Sequence, residues 1–212
     1  MTTQAQNVDQ YIAELKEKLS TNPQCASHHY NLGLAYLSKR MWQEAETCFR
    51  DTVDNSPRFA EAYVQLGGIC LQRGDLEGCL NYNRHAKDCR LQYAVPWANM
   101  GFCHIQLGKY DEAVKCLKKA INRDPEFVQA HATLGSAHIM AKQYDEGIEA
   151  SRKALELAPE FGPAWNNLAV AYMDMGQPEL AVEYADKAEE FNYELAPDFK
   201  KEIEAARKNL KK

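Results

Sequence analysis

Residues 94–127 read AVPWANMGFCHIQLGKYDEAVKCLKKAINRDPEF, and the fold follows from this stretch. Apolar residues recur at helical spacing on both sides of Leu107-Gly108-Lys109, which reads as a turn. Asp124-Pro125 ends the second segment, because proline cannot continue a helix. The stretch is therefore a helix A, a tight turn and a helix B. Moving outward in steps of 34 residues, the same residues return. Pro23, Pro57, Pro125 and Pro159 share one place, with Leu91 the exception. Gly33, Gly67, Gly101 and Gly135 share another with Ala169, each preceded by Leu32, Leu66, Met100, Leu134 or Leu168. Two further small columns run Ala45, Cys79, Ala113, Gly147, Ala181 and Thr52, Ala86, Ala120, Ala154, Ala188. Arg73-Gly74-Asp75 and Met175-Gly176-Gln177 repeat the turn. A fixed period of this length predicts a stack of helix pairs. Small residues are needed where helices cross closely, and Trp97, Trp165, Phe49 and Leu117 fill the space beside them.

These residues resemble the tetratricopeptide repeat (TPR) pattern W-x2-L-G-x2-Y, A-x3-F, then A and P. The clearest unit carries Ala94-Val95-Pro96-Trp97-Ala98-Asn99-Met100-Gly101, then Tyr110-Asp111-Glu112-Ala113 and Asp124-Pro125. The resemblance spans essentially the whole chain. It implies an all-α, right-handed superhelical α-solenoid of antiparallel helix pairs, forming one domain over 1–212. The expected units are 26–59, 60–93, 94–127, 128–161 and 162–195. An N-terminal helix or half repeat occupies 1–25, with its helix at about Val8–Ser20, and a capping helix occupies 196–212, at about Ala196–Leu210. Lys200, Lys201, Lys208, Lys211 and Lys212 suit a solvated outer face on that cap.

The chain has 212 residues, 26% charged and 45% hydrophobic, with a formal net charge of -5. Nucleic-acid binders carry a basic excess, so no nucleic-acid partner is expected. Met1 to Asn7 is polar and offers no signal-peptide core, and no run is long enough for membrane insertion. The seven cysteines are odd in number and without C-x-x-C spacing, which predicts free thiols and a cytoplasmic location. No nucleophile elbow, phosphate loop or H-E-x-x-H motif occurs, so the expected protein is no enzyme and holds no cofactor.

The resemblance implies that A helices line the concave, ligand-binding surface. They are expected at Ala26–Ser38, Ala60–Gln72, Ala94–Gln106, Val128–Met140 and Gly162–Asp174. None contains a lysine or arginine, and Glu61 and Asp174 are their only acids. Chaperone-binding relatives use a basic clamp for acidic C-termini; here its places hold Tyr30, Leu34, Gln65, Val95 and Asn99. Without cations such a surface offers nothing to carboxylates or phosphates, so the expected partner is a protein or peptide with an apolar, non-acidic segment. Asn31, Gln65, Asn99, Thr133 and Asn167 occupy one place in successive A helices. Such a polar ladder can pair with a peptide backbone, or it can bond neighbouring helix backbone and set repeat spacing. Leu34, Leu37, Val64, Leu71, Phe102, Ile105, Ile139, Met140, Val170 and Met173 stand beside it as apolar anchor candidates, about half of them expected to be core. Gly68 and Ser136 leave recesses.

Cys70, His104 and His138 share a column, with Cys103 and His131 nearby, but successive repeats lie about 10 Å apart, too far to converge on one metal. They read as packing residues. Cys48, Cys79 and Cys116 read as buried fillers, Cys25 and Cys89 as the more exposed thiols, and His28-His29 as a solvated pair. The second unit is irregular: Gly78 falls inside helix B, Asn83 takes a core place, and Leu91 replaces the proline, so that helix B can run on through Tyr93. Its basic end, Arg84, His85, Lys87 and Arg90, reads as irregular structure ahead of a second partner surface. The function expected is an adaptor or assembly scaffold. The alternatives are a self-associating scaffold, with Tyr11, Ile12, Leu15 and Leu19 of the N-terminal helix inserted in another copy's groove, and a metal or redox-sensing protein.

Overall fold

A computed structural model describes residues 2–210, and among them it holds twelve α-helices and no strand. They are α1 (Thr2–Thr21), α2 (Ala26–Ser38), α3 (Trp42–Asn55), α4 (Ala60–Gln72), α5 (Leu76–Cys89), α6 (Ala94–Gln106), α7 (Tyr110–Arg123), α8 (Val128–Met140), α9 (Tyr144–Leu157), α10 (Gly162–Asp174), α11 (Pro178–Glu190) and α12 (Pro197–Asn209). The five even-numbered helices α2 to α10 are the A helices, and each spans the residues expected of it. The first helix begins at Thr2, well before Val8, and the last ends one residue short of Leu210. Lys211 and Lys212 lie outside the described residues.

Each A helix ends in the same way. Arg40, Gly74, Gly108, Lys142 and Gly176, one place on the grid, all take the left-handed conformation, with φ of 59°, 78°, 69°, 61° and 71°. The following amide then reaches back five residues: Met41 to Tyr36, Lys109 to His104, Gln143 to His138, each at 2.8–2.9 Å. This bond satisfies a carbonyl that a helix end leaves open and reverses the chain into helix B. Glycine adopts that conformation freely, whereas Arg40 and Lys142 do so at a cost of about 1 kcal/mol.

The chain forms two compact bodies, Met1–Asn99 and Met100–Lys212, the division falling within α6. In the first, α2 pairs with α3 and α4 with α5, α3 packs on α4, and α1 lies on α2. Ile12 and Leu15 of α1 join Leu32, Phe49, Leu66 and Ile69 in one core. In the second, α8 pairs with α9 and α10 with α11, α7 packs on α8, and α12 closes the end against α11. Its core runs through Ile139, Ile148 and Leu168 to Ala181, Ala185 and Ile203.

The close crossings explain the glycine column. A Cβ on Gly33 would meet the Phe49 ring at 2.6 Å, on Gly101 the Leu117 Cγ at 2.6 Å, and on Gly135 the Ser151 Oγ at 2.3 Å. The residue met stands sixteen places later each time. In the last repeat the same two places hold Ala169 and Ala185, both fully buried. One small residue on each helix there replaces glycine against something larger.

The irregular second repeat is an ordinary helix pair with local adjustments. Gly78 lies in the first turn of α5, where its N–H donates to the Asp75 side chain at 2.8 Å. A Cβ there would fall 2.2 Å from Asp75 Oδ2, so glycine makes room for the cap. The expected run-on through Tyr93 does not occur: α5 stops at Cys89 and Arg90 is extended. Asn83 is fully buried, and its amide donates to Cys79 O at 2.9 Å and accepts from Asn99 Nδ2 at 3.1 Å.

Candidate functional site: the A-helix faces

One side of every A helix is committed to its neighbours, and the other presents few charges. On the first body Leu34 is 38% exposed, Gly68 is open to solvent with nothing within 4 Å of its Cβ place, and Val64 and Leu71 are half-buried. On the second, Phe102 is 39% and Met140 50% exposed, with Ser136, Val170 and Met173 half-buried. Ile105 and Ile139, which the sequence places among the anchors, are only 5% and 4% exposed and are core residues. They sit one helical turn beyond Phe102 and Ser136, on the edge that packs, so a bound peptide cannot reach them. Leu37 is half-buried and packs against the core of the first body. Met173 likewise packs against the core of the second body.

The polar ladder is largely engaged inside the protein. Asn167 Nδ2 donates to Ala132 O at 2.7 Å, tying α10 to α8. Thr133 is buried, its hydroxyl donating to Gln129 O at 2.7 Å within α8. Asn99 reaches the buried Asn83, and Gln65 lies beside the Tyr30 hydroxyl. Asn31 is half-buried. Asn167 and Asn99 therefore direct donors at neighbouring helices, as the spacing role requires.

A column that sequence reasoning treats as filler has a specific bonding role. His29, His131 and Trp165 occupy the same place in their A helices. Each directs a ring nitrogen at the carbonyl of the preceding proline: His29 Nε2 to Pro23 O, His131 Nε2 to Pro125 O and Trp165 Nε1 to Pro159 O, all at 2.8 Å. A carbonyl only accepts, so both imidazoles carry their proton on Nε2. His29 is thus held in place, with Asp51 3.5 Å from its other nitrogen, and His28 is half-buried with its Nδ1 shut off from solvent, so the two are not the solvated pair expected from the sequence. The shared signal is an N–H donor at one place on the grid, visible once the columns are written out.

Among the described residues no three or more His, Cys, Asp or Glu side chains are placed to hold a metal ion. Cys48 and Cys70 are buried, and desolvation pushes each thiol up from 9.0 to about 11, with Asp51 and Asp75 respectively adding to the rise. Such thiols are poor nucleophiles at neutral pH. Cys25 and Cys89 are half-buried. The basic end of α5 is used within the fold: Arg90 pairs with Glu61 at 3.0 Å and lies over Tyr93, and Lys87 lies 5.5 Å over Trp97. On α1, Ile12 and Leu15 are 8% and 2% exposed, so the apolar side proposed for insertion in another copy is covered by this chain's own α2 and α3, leaving Tyr11 at 41%. No described helix is long and apolar enough to cross a membrane.

Comparison with known proteins agrees with this architecture. Family models described as tetratricopeptide repeat match residues 94–127 and 162–192, residues 30–78 and residues 128–161. The BBSome complex member BBS4 of Bos taurus is 25% identical over 114 residues, which are 54% of this chain and 22% of that protein. The chain thus spans about a fifth of the length of this curated relative. Among solved structures, the APC/C hetero-tetramer Cut9–Hcn1 superposes with a TM-score of 0.81 at 14% identity, covering 95% of this chain and 40% of that one. YrrB, a TPR protein with an unusual peptide-binding site, gives 0.65 at 18% identity, covering 84% and 91%. At these identities the likeness shows the fold alone. With family matches over residues 30–78 and 94–192 and the repeat geometry present in both bodies, the chain belongs to the tetratricopeptide repeat family.

Proposed function

We propose that the chain is a non-catalytic adaptor or assembly scaffold that holds an apolar, non-acidic polypeptide segment on its A-helix faces. The repeat fold and family membership support a protein–protein interaction scaffold in general terms. One observation carries the finer reading. The A helices contain no lysine or arginine, yet Leu34, Phe102 and Met140 stand exposed on them. An apolar side chain left wet on a face without cations favours burial against an apolar partner and gives an acidic one nothing to pair with. Methionine adds a flexible contact that adapts to varied shapes. Leu34 lies in the repeat at 26–59 of the first body, and Phe102 and Met140 lie in those at 94–127 and 128–161 of the second, so each body carries such a face of its own. YrrB's peptide-binding site and BBS4's membership of a complex are in keeping with such a role.

A displayed random-peptide library, panned on the wild-type chain and on Leu34→Glu, Phe102→Glu and Met140→Glu variants, tests the reading. Apolar, acid-poor peptides should be enriched on the wild type and lost on at least one variant that retains its far-ultraviolet circular dichroism. Enrichment of acidic peptides, or recovery of the same peptides on all three variants, would overturn it.

A further inference from the structure

A trench runs along α8 on the B-helix side of the second body, with a volume of about 1430 Å³. Its walls are α7 and α9, each packed on α8, and its floor carries His131, Leu134 and His138. The proposed binding faces use none of these three residues. At the same two places the other repeats hold His29 and Tyr36, Tyr63 and Cys70, Trp97 and His104, and Trp165 and Tyr172, so this repeat alone has imidazole at both. Imidazole is smaller than a phenol or an indole, so the pairing keeps the floor low.

The lining is apolar low down and charged at the rims. Val114 and Ile121 of α7 and Ile148 of α9 supply the apolar part. Lys115 and Lys118 stand on the α7 wall, and Glu146 and Glu149 on the α9 wall. None of these four forms an ion pair among the described residues, whereas Lys153 and Glu156 of α9 pair with each other at 2.7 Å. Asp111 on α7 and Arg152 and Lys153 on α9 carry the minority sign of their walls, Asp145 adds to the acids of α9, and the α7 wall stays net positive and the α9 wall net negative. On α7 the lining runs from Asp111 to Asn122, about 16 Å at 1.5 Å per residue, or three helical turns.

We propose that this trench binds an amphipathic helix of a partner protein, its apolar side on the α8 floor, an acidic flank against Lys115 and Lys118, and a basic flank against Glu146 and Glu149. A helix suits the site better than a strand. The walls are helices with their backbone groups paired internally, so an extended segment would bury its own amides without partners, whereas a helix satisfies its own. Opposed rim charges then set which helices enter and speed their encounter.

The test uses the full chain and three synthetic helical peptides of about three turns, stapled to hold their shape and sharing one leucine stripe. One carries glutamates on one flank and lysines on the other, the second lysines on both flanks, the third glutamates on both. A mixed-flank helix can match both walls whichever flank is acidic, by entering in one direction or the other, so single-sign peptides are the informative controls. Fluorescence anisotropy should show the mixed peptide binding about tenfold more tightly than either control. The Lys115→Glu/Lys118→Glu protein should transfer preference to the all-lysine peptide, and the Glu146→Lys/Glu149→Lys protein to the all-glutamate peptide. Each pair of substitutions lies on an exposed face, so either folded variant suffices to decide. Equal binding of the three peptides, no binding of the mixed peptide, or preferences unmoved by both reversals would overturn the proposal. None of these results bears on Leu34, Phe102 or Met140, so the two readings fail separately.

Discussion

Gly101→Ala is the sharpest probe of how the helix pairs fit. The added methyl would lie 2.6 Å from Leu117 Cγ and 3.0 Å from its Cδ2, and Leu117 is fully buried, so it has nowhere to turn. Overpacking of this kind costs about 2 kcal/mol. Alanine in place of glycine inside a helix returns about 1 kcal/mol, leaving a net loss of about 1. Leu117→Ala alone opens a cavity and costs about 3 kcal/mol. If the sites were independent, the double variant would lose about 4 kcal/mol. In the double variant the methyl added at Gly101 instead has free space, and it fills part of the cavity while keeping the helical gain. The expected loss is then about 2 kcal/mol, a coupling of about 2 in favour of the pair. The last repeat already uses this solution in Ala169 and Ala185. Stability is measured by urea unfolding, with hydrogen exchange of the α7 amides as the local readout, because repeat arrays need not unfold in one step. Losses that simply add, or a Gly101→Ala protein as stable as wild type, would refute the reasoning.

Lys142→Gly should raise stability by about 0.5–1 kcal/mol, since glycine relieves the left-handed strain at that turn; a lowered thermal midpoint would contradict it. Asn167→Ala should cost about 1 kcal/mol through the lost bond to Ala132 O, and exchange of α10 amides should quicken; unchanged exchange would remove the bond's role in joining α8 to α10. His131→Phe, which deletes the donor to Pro125 O, should cost more stability than His131→Trp, which can keep it, as thermal melts of the two would reveal. For Cys48 and Cys70 the folded pKa is raised from 9.0 to about 11, so the folded state holds protons that the unfolded state releases. Their contribution is therefore complete below about pH 9 and is lost as pH rises from 9 towards 11. Unfolding curves of the wild type and of Cys48→Ala and Cys70→Ala variants across that window check the sign.

The A helices were legible to the residue because proline, glycine and apolar columns all fall on one grid. What that grid omits are choices made by contact. Arg40 and Lys142 occupy turns that three other repeats give to glycine, and nothing in their side chains signals a left-handed backbone. Gly78 looks like a weak point inside a helix until the cap from Asp75 is seen. Leu91 permits a helix to continue, yet α5 ends at Cys89, before it. At the candidate faces, spacing could separate the A helices from the B helices but could not tell the packed edge, with Ile105 and Ile139, from the open one, with Phe102 and Met140. That distinction depends on the angle at which neighbouring helices cross. Asn83 and Asn99 each looked polar in isolation, and only their pairing explains why a buried amide is tolerated.

The ring-nitrogen bonds at His29, His131 and Trp165 span six residues each. A bond that local closes a very short loop, so its entropy cost is small and it can form before distant parts of the chain have met. Three of the places where one repeat hands over to the next are thereby fastened early, by chain already at hand. The same locality governs the reverse process. When an end of the array peels away, the next junction still holds its own fastening, so loss of structure should proceed as separate steps, one repeat at a time. Pulled from its termini, such a molecule would yield in a staircase, with the height of each step set by the junction it breaks.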